Sequence, residues 1–190
     1  REGFDENDDL LIGPPNHGRW SYACSKLMDE FLALAFHNER QLPVTVVRLF
    51  NTVGPRQTGR YGMVLPRFVE AAKVNEPIRV FGDGQQSRCF CHVNDTVEAL
   101  LRLAKCEAAP GNIFNIGSIE EVTILGLAKR VVELTGSQST VELVPYEQAY
   151  DPGFEDMQRR KPVIDKLEQF TGFRPATSLD DIIRSVAGIA

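Results

Sequence analysis

Apolar residues follow two rhythms along this chain, one helical and one strand-like. From about Trp20 to Glu39 they recur at helical spacing, with Leu27, Phe31 and Leu34 on one stripe and Met28, Leu32 and Ala35 beside it. So wide an arc predicts a helix buried on more than one side. Gln41-Leu42-Pro43 ends it, and the β-branched run from Val44 to Phe50 predicts a buried parallel strand. A glycine-rich loop from Asn51 to Gly62 precedes a predicted helix from Val64 to Val74. A short strand from Ile78 to Phe81 stops at the turn signal Gly82-Asp83-Gly84. A strand is predicted from Arg88 to Val93, then a helix to about Lys105 with Asn94 as its cap. Asn112 to Ile116 and Val141 to Val144 read as strands. Between them Thr123 caps a helix that runs to Thr135 and stops at Gly136. Pro162 suits the first turn of a helix to about Thr171. Ser178 caps a last one carrying Leu179, Ile182, Ile183 and Val186 on one stripe.

Strands alternating with helices predict an α/β fold with some parallel sheet. The 190 residues suffice for one sizeable domain or a large piece of a two-lobed one. Hydrophobic residues at 43% and charged residues at 25% are ordinary for a soluble globular chain, and no apolar run approaches the roughly 18 residues of a membrane span. Residues 1–19 read as a loop around Gly13-Pro14-Pro15; the acidic start carries no signal-peptide pattern and no initiator Met, so it reads as cut from something longer. A cytoplasmic location is expected.

Net charge, 21 − 26 = −5, argues against a nucleic-acid surface. The basic residues nevertheless cluster, at Arg56, Arg60 and Arg67 and at Arg159-Arg160-Lys161, which suits a small anionic ligand. Cys24, Cys89, Cys91 and Cys106 form no CxxC pair and read as buried, reduced thiols, with no metal expected.

Chemistry concentrates in Tyr22-Ala23-Cys24-Ser25-Lys26. Positions i and i+4 share one helix face, so the phenol and the ammonium can address one site. A phenol titrates near about 10 and is a poor base at neutral pH. A fixed cation nearby favours the phenolate and makes it a usable acid/base catalyst. The spacing alone is weak, but three further segments follow in order: Arg48-Leu49-Phe50-Asn51-Thr52-Val53-Gly54-Pro55, Arg88-Cys89-Phe90-Cys91-His92-Val93-Asn94-Asp95, and Phe114-Asn115-Ile116-Gly117. With Phe154-Glu155-Asp156-Met157-Gln158-Arg159-Arg160 downstream, the series resembles the extended short-chain dehydrogenase/reductase family, specifically its nucleotide-sugar epimerases, dehydratases and decarboxylases.

The resemblance implies a Rossmann-type NAD-binding fold whose last portion is residues 1–60, and a smaller substrate-binding lobe mainly in 61–190 with segments returning to the first. It implies Tyr22 as the acid/base and Lys26 as the residue that binds the nicotinamide ribose and lowers the tyrosine pKa, with Phe50 as a wall near the nicotinamide. On the substrate side it implies Asn51 at the diphosphate, Val64, Arg79 and Phe81 around the nucleotide base, Arg88 on the diphosphate, and Arg159 or Arg160 as a second arginine there. Arginine suits that task because its planar fork binds phosphate oxygens two at a time and stays charged. His92, beside a predicted helix start, suits packing or capping rather than catalysis.

Three departures stand beside the match. The glycine fingerprint that brings a dinucleotide pyrophosphate to a helix N-terminus is absent from these residues, and the Ser/Thr expected before the tyrosine would lie ahead of Arg1. Val163 stands where relatives often carry an Asp. The implied activity is NAD-dependent conversion of a nucleotide-diphosphate sugar through a transient 4-keto sugar. UDP-sugar 4-epimerisation is placed slightly ahead of UDP-glucuronate decarboxylation, with 4,6-dehydration third. The competing expectation is a non-catalytic substrate-binding and dimerisation fragment. A homodimer through the Tyr22 helix is expected in either case.

Overall fold

The computed structural model describes residues 3–60, 63–148 and 157–189. The first long element is α1 (Arg19–Arg40), which ends with Gln41 in the left-handed region. It leads into β1 (Val46–Leu49), which runs parallel to β6 (Ile113–Ile116) with Val46 opposite Ile113 and Leu49 opposite Ile116. Between these strands lies α3 (Val93–Lys105). Helix α5 (Asp165–Thr171) packs against both α3 and β6. Phe114, Ile116, Ala99, Leu103 and Leu167 close this cluster from water.

A second cluster forms around β3 (Ile78–Phe81) and β8 (Val141–Val144), also a parallel pair. Three helices cover it: α2 (Val64–Lys73), α4 (Ile124–Thr135) and α6 (Leu179–Ala187). Leu65, Ile78, Val80, Leu127, Val131, Ile182 and Ile183 are fully buried there. Each such side chain contributes about 1.5–3 kcal/mol by leaving water. The cap signals at Thr123 and Ser178 act as expected: Thr123 accepts from the Gly126 amide and Ser178 from the Asp181 amide.

The remaining strands are short. β2 (Thr52–Val53) pairs in parallel with β5 (Cys91–His92). β4 (Ser87–Cys89) is flanked by antiparallel β7 (Glu121–Thr123) and parallel β9 (Arg159–Arg160). The single strand expected from Arg88 to Val93 is thus two, broken at Phe90, because β4 and β5 serve different sheets.

Other expectations are corrected. Helix α3 is capped by His92, whose Nδ1 accepts from the Asn94 amide; Asn94 itself lies inside the helix. Pro162 starts no helix. Its neighbours bond to the N-terminal segment, Phe4 N–H to the Lys161 carbonyl and Val163 N–H to the Phe4 carbonyl, which holds this stretch extended until Asp165. β1 is half-buried rather than buried, since among the described residues only β6 pairs with it. Helix α1 departs most: Tyr22, Met28, Phe31, Leu32 and Phe36 are all exposed, Phe31 by 63%. Its broad apolar arc is real, but no described element lies over that side. Of the cysteines, all free, Cys89 and Cys91 are buried while Cys24 is exposed. Burial first, then the Glu121 carboxylate, pushes the Cys89 thiol up to about 11, so it carries no thiolate at neutral pH.

Candidate functional site

A cavity of about 360 Å³ opens where the end of β2, the start of α2, β3, β4 and β9 converge. Asn51 stands at one side. Val64 and Arg67 reach it from the first turn of α2, Arg79 and Phe81 from β3, Gln86 and Arg88 around β4, and Arg160 from β9. Its floor is apolar, with Leu65, Phe68, Phe90 and Ile124 from the buried cluster beneath it. An apolar concavity with a few convergent polar groups is the usual form of a small-molecule site.

The aromatic end is fixed by local packing. The Arg67 guanidinium lies 5.5 Å from the centre of the Phe81 ring, close enough for a cation–π contact. Gln86, 5% exposed, donates through Nε2 to the Phe81 carbonyl at 3.1 Å and to the Tyr146 hydroxyl at 3.0 Å. It therefore ties two walls of the cavity together. Gly82 is required between them: its φ is +73°, and a Cβ there would lie 2.4 Å from the Tyr146 ring.

At the other end, Arg88 on β4 and Arg160 on β9 are register partners. Arg88 Nη1 donates to the Ser87 and Met157 carbonyls, both at 2.7 Å. Arg159 turns elsewhere, into a two-bond ion pair with Glu121 at 2.7 and 2.8 Å. Arg160, not Arg159, lines the cavity. Its guanidinium also lies 5.5 Å from the centre of the Phe50 ring. Burial, then the Arg88 charge, hold Arg160 below the usual arginine range, while the Tyr22 phenol opposes them. The group stays charged, and part of the side chain is open to solvent.

Tyr22 and Lys26 lie outside the cavity lining, on the exposed side of α1. Lys26 Nζ donates to Asp29 at 2.6 Å, and that bond raises its pKa. Phe50, 8% exposed, packs under Gly117, where a Cβ would come within 2.8 Å of the Phe50 Cβ. Asn51 lines the cavity, with its amide donating to the Cys89 carbonyl at 3.0 Å. The structure thus gathers Asn51, Val64, Arg79, Phe81, Arg88 and Arg160 around one space. It places Tyr22 and Lys26 on a separate helix, and Arg160, which lies over the Phe50 ring, is the lining residue that the Tyr22 charge reaches. Gln86 and Tyr146 line the cavity without having been singled out from the sequence; of the basic cluster Arg56, Arg60 and Arg67, Arg67 lines it. The acidic stretch Phe154-Glu155-Asp156 lies outside the described residues.

Comparison with known proteins fits this arrangement. Residues 2–117 match the family described as the NAD dependent epimerase/dehydratase family. The chain belongs to that family. It is 44% identical over 176 residues to a UDP-N-acetyl-alpha-D-glucosaminuronate decarboxylase of Bacillus cytotoxicus, covering 92% of this chain and 54% of that protein. It is 37% identical to UDP-glucuronic acid decarboxylase 2 of Arabidopsis thaliana, over 85% of this chain and 34% of that protein. The solved structure of an epimerase from Methanothermobacter thermautotrophicus superimposes with a TM-score of 0.82 at 26% identity, over 95% of this chain and 51% of that one. The α/β architecture is therefore that of part of a Rossmann-type epimerase/dehydratase, and the chain spans about half the length of the first of these relatives.

Proposed function

We propose that this chain supplies the substrate site and half of the redox machinery of an enzyme that decarboxylates a UDP-linked uronic acid. The observation that carries the nucleotide-sugar reading is the register pairing of Arg88 with Arg160 at one end of a cavity whose other end is the aromatic wall of Phe81 and Tyr146. Two guanidiniums side by side suit a diphosphate, and a flat apolar wall suits a nucleotide base. Decarboxylation is favoured over the 4-epimerisation that the sequence alone put first, because both relatives quoted above carry decarboxylase names at 44% and 37% identity.

The residues present suit the nicotinamide-ribose end of NAD: an exposed phenol and an exposed ammonium one helical turn apart on α1. NAD, when bound, would accept and later return the hydride at the sugar C4. Tyr22 takes the 4-hydroxyl proton, leaving a 4-keto sugar; the bond from C5 to its carboxylate can then break to release carbon dioxide, its electron pair passing into the 4-keto group as an enolate that takes a proton at C5. Lys26 holds the ribose and favours the tyrosinate. Arg88 and Arg160 keep the diphosphate fixed while Val64, Arg79 and Phe81 hold the base, so that the sugar is presented towards Tyr22. The exposed apolar side of α1 suits a second copy of the whole protein.

Product analysis tests the reaction. The whole protein, supplied with NAD and UDP-glucuronate or UDP-N-acetylglucosaminuronate, should release carbon dioxide and a pentose nucleotide sugar. An epimerised uronate formed without carbon dioxide would overturn the decarboxylase reading.

A further inference from the structure

Arg159 and Arg160 are consecutive residues of β9, so their side chains leave opposite faces of the strand. Glu121 grips Arg159 with both oxygens, and its Oε1 also accepts from the Ser87 hydroxyl at 2.5 Å. Ser87 sits opposite Arg159 on β4, and the strands run β7, β4, β9. One carboxylate from β7 thus reaches across the middle strand and fastens the outer one.

We propose that Glu121 is a positioning residue: by holding Arg159 on one face of β9, it aims Arg160 at the cavity, where that guanidinium meets the diphosphate of the nucleotide sugar. The proposal rests on the diphosphate reading of the cavity given above.

The need for such a fastening follows from charge and length. Like charges at register partners repel, and Arg88 and Arg160 face each other in that way. β9 has two residues, well short of the usual strand, so its backbone bonds alone give that pair little support. Among the described residues no carboxylate pairs with Arg160, whose guanidinium lies over the Phe50 ring. Glu121 supplies a fixed anchor beside this pair without neutralising it, because both its oxygens are engaged by Arg159 and Ser87. Those bonds, Arg159 first, hold the carboxyl down at about 2, so the anchor stays charged at any ordinary pH.

The test compares UDP with uridine, which share the base and differ in the diphosphate. Calorimetric titration of this chain should show that E121Q weakens UDP binding on the order of fivefold through lost preorganisation while uridine binding is unchanged. E121D, which keeps the charge on a shorter arm, should fall between the wild type and E121Q. In an R160A background E121Q should add nothing further. An equal loss for UDP and uridine would overturn the proposal, as would an undiminished E121Q effect without Arg160. If the wild-type chain binds no UDP, the diphosphate reading of the cavity fails. The positioning role is then judged by exchange of the Ser87 amide, which donates to the Gln158 carbonyl at 2.8 Å. Faster exchange in E121Q sustains it, and unchanged exchange sinks it.

Discussion

Arg88 and Arg160 stand in register on neighbouring parallel strands, and both line the same cavity. The Arg88 charge holds the Arg160 pKa down, and an anion bridging the two would bind both guanidiniums. R160A should therefore weaken UDP binding by roughly ten- to a hundredfold, the worth of a charged hydrogen-bonded partner. Raised salt should weaken wild-type binding as well, since part of the site is open to screening. Titrations at two ionic strengths check both.

Tyr22 lies outside the cavity lining, although its charge reaches Arg160. Y22F should reduce turnover of the whole protein by about 10²–10⁴-fold and leave UDP affinity of this chain unchanged. A parallel loss of affinity would show that Tyr22 contributes to substrate binding rather than to proton transfer.

Gln86 ties the Phe81 carbonyl to the Tyr146 hydroxyl while itself almost wholly buried. Q86A removes the side-chain bond to the part-buried Phe81 carbonyl, a loss of about 0.5–1.5 kcal/mol. Urea denaturation should show that loss of stability, and uridine affinity should fall with it because both walls loosen.

Glu121 gives stability a pH dependence of fixed sign. Its carboxyl is held at about 2 by Arg159 and then Ser87, below the ordinary glutamate value. A depressed folded-state pKa contributes stability above the unfolded pKa, near about 4.3, and loses it as pH falls towards 2. Acid unfolding of E121Q should therefore be shallower than that of the wild type between about pH 4.3 and 2, with the two curves converging at the low end.

Local rules reached the sequence well. Thr123 and Ser178 as caps, Gly136 as a stop and the Ile182–Ile183 stripe depend on residues a few positions apart, and each stands as read. The helix start at α3 lay two residues earlier than the Asn94 signal: His92, for which packing or capping was expected, accepts through Nδ1 from the Asn94 amide. The arc on α1 announced an apolar surface, yet periodicity reports only the width of a face and never what covers it. Resemblance to a family pointed to Arg79, Phe81 and Arg88, and all three line the cavity. Glu121, Gln86 and Tyr146 were not legible, because they act on partners 38, 60 and 60 positions away with no spacing pattern to reveal them. The choice between Arg159 and Arg160 was closed to sequence for the same reason: only the register with β4 and the reach of Glu121 separate them.

On the function proposed above, the cavity holds a nucleoside diphosphate between Arg88 and Arg160. Calorimetric titration of the chain with UDP, beside the double variant R88A/R160A, tests it most directly. The wild type should show one saturable site and the variant none, with uridine binding retained in both. UDP binding that survives removal of both arginines would contradict it.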